Sequence, residues 1–206
     1  ADEHSEVLTE LFKNAYLKQY NLADATRALV HQLFGNDGLI VVDGDDTNLK
    51  RLFIPVIKNE LKHQIVLNEV TQTNLALKQI NSNFKIQVNP RPLNLFYIKN
   101  NLRERIELNN GIFRVLNTEL SWNLEAILKE LEAQPKRFSP NVLMRPLYQE
   151  TILPNLRYVG GGGELSYWLQ LKSCFDAFNV PFPLLLHRSS AIIVTSKQHK
   201  KLQKGN

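Results

Sequence analysis

The stretch "RYVGGGGELSYW", Arg157 to Trp168, sets four consecutive glycines between an apolar run and an amphipathic one. Glycine loses more backbone entropy on folding than any other residue, so four in a row need a reason. To the left, "LRYV" reads as a short strand. To the right, "ELSYWLQLKSCFDAF" reads as a helix with Leu165, Trp168, Leu169, Phe175 and Phe178 on one face. "PFPLLLHR" then reads as another strand. A strand, a glycine turn, a helix and a strand are the unit of a parallel, doubly wound sheet. Upstream, "GLIVVDGDD" (38–46) repeats the theme: Leu39–Val42 is a short β-branched run suited to a strand buried on both faces. It ends in Asp43, Gly44, Asp45 and Asp46, and Thr47 is the candidate cap of the next helix.

Around these units the chain divides into four stretches. Residues 1–80 are read as part of a Rossmann-like core with helices. "SEVLTELFKNAYLKQY" and "LADATRALVHQLFG" have helical spacing, with Asn21 as a cap and Gly35 at the end. Pro55 starts or kinks a further helix, and the helical pattern continues to about Ile80. Residues 81–136 change character. "FKIQVNPRPLNLFYIKN", "RERIEL" and "GIFRVL" are short alternating runs, and Asn109-Asn110-Gly111 supplies a hairpin turn. "SWNLEAILKELEAQP" follows as a helix with Ser121 as its expected cap. This is a small antiparallel sheet plus a helix, inserted in the core. Residues 137–196 form the second part of the core, with Pro146 in the first turn of a helix through Tyr148. Residues 197–206 are a basic tail.

The chain has 206 residues, 43% hydrophobic and 22% charged, which is ordinary for a folded globular protein. No run approaches the roughly 18 apolar residues of a membrane span. The N-terminal stretch lacks the pattern of a signal peptide, and a cytoplasmic setting is the default expectation. The single cysteine, Cys174, excludes an internal disulfide framework and a Cys-based zinc site, and reads as a small buried residue. The five histidines show no metal-ligand spacing, so no metal is expected. The net charge of +5 and pI of about 9.3 invite a nucleic-acid reading. The last ten residues, however, hold four lysines and no acid, and without them the net charge falls to +1. The basicity belongs to the tail, so a nucleic-acid partner is not expected.

In a doubly wound sheet, ligands bind at the carboxyl ends of the strands. Three such ends can be read: Asp43-Gly44-Asp45-Asp46, the run Gly160, Gly161, Gly162 and Gly163, and His187-Arg188-Ser189-Ser190. The glycine run lacks both the dinucleotide and the P-loop spacing. Its amides at a helix start suit an anion, and a tight turn with close packing suits the same residues. Asp43, Asp45 and Asp46 suit a ribose hydroxyl, a metal or an amino group, or a helix cap. Arg145, just before Pro146, suits bidentate capture of a carboxylate or phosphate, or a surface ion pair. Asn141, Tyr148 and Gln149 carry the same two readings. Trp168 reads as core, and Tyr167 as a residue that faces a ligand.

The segments "FSPNVLMRPLYQETILPNLRYVGGGGELSYWLQLK" and "VPFPLLLHRSSAII" resemble the cysteine-adding enzyme of bacillithiol biosynthesis, the cysteine ligase BshC family. "LADATRALVHQLFGNDGLIVVDGDDTNLKRLFIPVIKNEL" and "VNPRPLNLFYIKNNLRERIE" resemble the same family in the same order, so the likeness covers about residues 5–195. It implies a Rossmann-like core similar to that of class I aminoacyl-tRNA synthetases, with connecting insertions, and in the full-length protein a C-terminal coiled coil and a homodimer. It implies a ligase that forms an amide between cysteine and the sugar amine of glucosaminyl malate, with ATP or ADP as the candidate cofactor. Arg145 and Arg188 then become holders of carboxylate or phosphate. The glycine amides, with Glu164 and Tyr167 beside them, become holders of a phosphate or an acyl oxyanion. The Asp43–Asp46 cluster becomes a holder of ammonium or ribose. No residue is assigned as the general base. The family's proteins are longer, so the chain is expected to be a middle piece, without the first part of the core and without the coiled coil. A non-catalytic module that binds a nucleotide or anion is the alternative reading.

Overall fold

The computed structural model describes residues 3–99 and 101–204; the ends of the first stretch and of the tail, and Asn100 within the insertion, lie outside the described residues. The chain divides into two compact units, Ala1–Lys50 and Arg51–Asn206.

The first unit is a helical hairpin. Helix α1 (Glu3–Lys18) packs on α2 (Leu22–Phe34) through Ala15, Ala25 and Leu29. Asn21 caps α2 by accepting from the Asp24 N–H at 2.9 Å, and α2 ends at Gly35, as its sequence predicts. The predicted strand at Leu39–Val42 does not form. A β-branched run becomes a strand only when a neighbour supplies the other half of its ladder, and the described residues of this unit hold no strand. Leu39, Ile40 and Val42 are accordingly exposed. Helix α3 (Thr47–Leu52) starts where predicted, but its cap is Asp46, whose Oδ1 accepts from the N–H groups of Asn48 and Leu49.

In the second unit, α4 (Ile54–His63) has Pro55 in its first turn, where the missing N–H costs nothing. Gln64, at φ 49°, separates it from α5 (Ile65–Ile80). Strands β1 (Leu95–Lys99), β2 (Leu102–Asn109), β3 (Ile112–Val115), β4 (Ser121–Trp122) and, after α6 (Leu124–Ala133), β5 (Phe138–Pro140) form an antiparallel sheet in the order β4-β3-β2-β1-β5. The β2–β3 turn uses Asn110 and Gly111 at φ 50° and 77°, the left-handed pair that a two-residue hairpin requires. Tyr97, Ile106, Phe113, Val115 and Phe138 form the buried face, and α6 covers it with Ile127 and Leu131. The cap of α6 is Asn123, not Ser121: its side chain accepts from the Ala126 N–H, while Ser121 is taken into β4 by pairing with Arg114. Tyr97 O–H donates to Glu130 at 2.6 Å, and Arg137 donates to the same carboxylate at 2.8 Å. Burial pushes the Tyr97 hydroxyl up to about 12.

The rest of the unit is α7 (Arg145–Ile152), β6 (Arg157–Gly160), α8 (Gly162–Leu169), α9 (Lys172–Ala177), β7 (Leu184–His187) and the exposed tail helix α10 (Ser196–Lys204). Strands β6 and β7 are parallel, register Arg157↔Leu184 to Gly160↔His187. Expected as one doubly wound parallel core with an antiparallel insertion, the described residues instead give a parallel pair and a larger antiparallel sheet. The fold is mixed α/β. The single predicted helix after the glycines is two helices, broken at Gln170 and Leu171. Gln170 is fully buried there: it accepts from the Gln87 N–H (2.8 Å) and donates to Val88 O (3.1 Å) and Asn74 Oδ1 (2.6 Å).

Two further buried polar residues tie the unit together. Glu60 on α4 accepts from the Val66 N–H (3.0 Å) and from Asn94 Nδ2 (3.2 Å), and burial raises its carboxyl above the ordinary 4.5. The folded chain therefore keeps a proton that the unfolded chain has already released. Glu60's contribution to stability is full below about pH 4.5, falls as pH rises to the folded value, and is level beyond it. Urea denaturation across this window is expected to show that decline in the native chain relative to Glu60→Gln. Parallel curves for the two proteins would overturn it.

Candidate functional site

The parallel pair positions the glycine run. Strands β6 and β7 end level with each other, and the Arg188 N–H donates to Gly160 O (2.9 Å), extending the ladder one step past His187. The chain passes through Gly161 in extended conformation, φ −72° and ψ 165°, and enters α8 at Gly162. No member of the run has a positive φ; among the described glycines only Gly38 and Gly111 do. Backbone conformation therefore does not demand glycine at these four positions.

Space explains part of the run. A Cβ at Gly160 would lie 2.8 Å from Tyr158 Cε1 and 3.3 Å from Glu164 and Leu165, so close packing of β6 on α8 requires glycine there. At Gly161 a Cβ would meet the Arg188 guanidinium at 3.4–3.5 Å. At Gly162 the nearest atom would be His187 Nε2 at 3.9 Å, and at Gly163 nothing lies within 4 Å. A Cβ at Gly162 would make an ordinary contact with His187 and one at Gly163 would stand in open space, so the chain's own atoms do not require glycine at either position.

That space has the chemistry of an anion site. The first N–H groups of a helix have no intrahelical acceptor, and the helix dipole makes them the positive end. Glu164 Oε2 takes the Gly161 N–H at 2.8 Å, and Tyr158 O–H donates to its other oxygen at 3.5 Å. Gly161 has no side chain to return the bond, so only the glutamate half of a capping box is present. The N–H groups of Gly162, Gly163 and Glu164 remain for a ligand, with the exposed Arg188 and His187 beside them.

The structure uses the other predicted site residues in different ways. Tyr167 is buried and its hydroxyl donates to Val142 O, joining α8 to the segment before α7; burial raises the hydroxyl, and the charge of Arg145 acts on it in the opposite direction. Arg145 is exposed, donating to Gln149 Oε1 at 3.1 Å, and Gln149 in turn donates to Glu150. Arg145 and Gln149 are thus joined on α7, and the charge of Arg145 reaches Tyr167 on α8. Asn141 has its amide bound to Asn94 (3.0 Å) and its oxygen to the N–H groups of Leu143 and Met144. Tyr148 is buried against Phe53, ring centroids 5.1 Å apart. Asp43, Asp45 and Asp46 lie in the first unit. Asp43 accepts from the Asp45 N–H, Asp45 pairs with Lys50 at 2.8 Å, and Asp46 caps α3. Each acid there has a local partner.

Sequence reasoning passed over Tyr158, which buttresses Glu164 and stacks on Trp168 at 4.1 Å, and Asn94, which links Glu60 to Asn141. Tyr158's place in a four-residue strand directly before the glycines was the available signal. Asn94, between two leucines, had none. Among the described residues no group of His, Cys, Asp and Glu could hold a metal ion, and no helix is long and apolar enough to cross a membrane.

Comparison with known proteins agrees on one family. The chain is 52% identical over 203 residues to "Putative cysteine ligase BshC" of Flavobacterium johnsoniae, covering 98% of this chain and 38% of that protein. Proteins of the same name from Salinibacter ruber and Bacillus pumilus are 34% and 33% identical, over 95% and 96% of this chain. The chain spans under two fifths of the length of these curated relatives. A family model described as the N-terminal Rossmann-like domain of bacillithiol biosynthesis BshC matches residues 1–189, an N-terminal domain where the sequence reading expects a middle piece. The chain belongs to that BshC family.

Proposed function

We propose that this chain is part of a cysteine ligase that joins the carboxyl group of cysteine to the amine of glucosaminyl malate. The reading rests on the names carried by its relatives, and one observation in the structure supports it most: Gly162 and Gly163 leave a helix N-terminus open without any internal need for glycine. Amide formation places negative charge on the acyl oxygen, and donors fixed before the reaction stabilise that charge. The amides of Gly162 and Gly163 are such donors, with Arg188 supplying a guanidinium for a carboxylate or phosphate. Arg145 would hold a second anionic group of the substrates, and Glu164 would meet an ammonium. The roles of Asn141, Tyr148 and Tyr167 are to fix the α7 and α8 ends that carry these groups.

An adenine nucleotide fits the same place, because the open glycine turn admits a phosphate where a Cβ would intrude. Such a nucleotide would supply activation of the cysteine carboxyl. In this proposal β6, α8 and β7 belong to a larger doubly wound parallel sheet, similar to class I synthetase cores, that the whole protein completes. The same proposal takes the whole protein to be a cytoplasmic homodimer built on a coiled coil beyond this chain.

Mass-spectrometric detection of the amide from cysteine and glucosaminyl malate tests the reading, using the whole protein. Arg188→Ala is expected to slow amide formation by about tenfold to a hundredfold, the scale of one lost charge-assisted contact. No product from the whole protein would overturn the ligase reading. Undiminished activity of Arg188→Ala would remove Arg188 from the site.

A further inference from the structure

A second cluster of cations lies on the antiparallel sheet, among residues the proposed reaction does not use. Side chains alternate along a strand, so Arg103, Arg105 and Glu107 of β2 share one face, and the register adds Arg114 of β3 opposite Glu107. This is the face away from the buried residues Ile106, Phe113 and Val115. Phe96 of β1, opposite Arg105, lies beneath the guanidinium of Arg103 at 3.9 Å, and Arg103 also donates to Pro140 O. Beside them opens a cleft of about 370 Å³, lined on one side by Arg91, Pro92 and Leu93 and on the other by β2 from Arg105 to Asn109.

The Arg91 wall is held rigidly. Asn94 accepts from the Arg91 N–H at 3.3 Å and donates to Arg91 O at 2.9 Å, closing the turn, and Pro92 fixes a backbone angle within it. Asn94 is itself fully buried and bound to Glu60 and Asn141. The Arg91 guanidinium has no hydrogen bond or ion pair among the described residues and is exposed. Across the cleft, the ion pair that Arg105 makes among the described residues is with Glu107, at 3.5 Å, longer than a charge-assisted hydrogen bond. Two guanidinium groups on fixed backbone, one unpaired and one loosely paired, border one cavity of small-molecule size.

We propose that this cleft binds a small dianion carrying paired phosphate or carboxylate groups, taken by Arg91 and Arg105. Each guanidinium presents a planar fork that matches one anionic group bidentately. Glu107 is the internal competitor that the ligand displaces from Arg105. The site is separate from the glycine turn and does not rest on the ligase reading.

Calorimetric titration of the 206-residue chain with inorganic pyrophosphate, and in a second arm with malonate, tests this and distinguishes phosphate from carboxylate. An Arg188→Ala background weakens anion binding at the glycine turn. Saturable binding of at least one probe is expected in that background. Arg91→Ala and Arg105→Gln are expected to weaken it by at least tenfold, while Glu107→Gln tightens it by removing the competitor, an effect no purely structural role would give. Arg91, exposed on its turn, is the variant whose folding is not at stake. Absence of saturable binding of both probes, or unchanged affinity in Arg91→Ala, overturns the proposal.

Discussion

Trp168→Ala is expected to cost about 4 kcal/mol of folding stability, the usual scale for truncating a buried aromatic residue. Trp168 is fully buried and forms the centre of an aromatic group: Tyr158 stacks on it at 4.1 Å, Phe175 lies at 5.7 Å and Phe182 at 6.0 Å. It therefore joins β6, α8, α9 and the segment leading into β7. Alanine would leave a cavity that four separate elements cannot close by shifting together. The measurement is the urea midpoint at unchanged slope. Trp168→Phe is expected to cost much less, since it keeps ring contacts and removes an indole N–H that has no acceptor among the described residues. A loss below about 1 kcal/mol in the alanine variant would mean that the group does not carry the unit's stability.

The second large effect is functional. Gly161→Val is expected to lower amide formation in the whole protein by about a hundredfold, about 2.8 kcal/mol of lost interaction. The added Cβ lands in ordinary contact with Arg188, at 3.4–3.5 Å, so the fold tolerates it, and Gly161 already has an extended conformation open to valine. The two methyl groups beyond it have to share the space of the guanidinium and of any anion approaching the α8 amides. A urea midpoint within about 1 kcal/mol of the native chain, together with lost activity, is the expected pair of results. A folded variant of full activity would show that the turn is only a turn. Gly160→Val makes the contrast: its Cβ lies 2.8 Å from Tyr158, and its effect is expected to be on folding.

The sequence made local punctuation legible. Asn21, Pro55, Asn110-Gly111 and Pro146 act through short-range backbone rules, and each marks an element end where those rules put it. The hairpin of β2 and β3 and the order β6, glycine turn, α8, β7 follow from the same kind of signal. What escaped depends on partners distant in sequence. Leu39–Val42 has the composition of a buried strand but no ladder among the described residues, and composition cannot supply one. Ser121 looked like a cap until cross-strand pairing with Arg114 claimed it. The acids at 43–46 and Asn141 have the chemistry of ligand groups, and in this chain their polar atoms serve turns and helix starts. Gln170 breaks a helix that its neighbours would continue, because its amide satisfies three groups up to 96 residues away.

The lone thiol has a consequence for handling this protein beside free cysteine. Cys174 is fully buried on α9 against α5, and burial pushes its thiol well above the ordinary value, so almost none of it is thiolate at neutral pH. Thiolate, not thiol, reacts with alkylating and disulfide reagents. In a mixture, colour developed by such a reagent at early times therefore counts only the small molecule. The slow remainder reports the openings that expose Cys174 to the reagent, so one side chain serves as a clock for opening of the fold around α9.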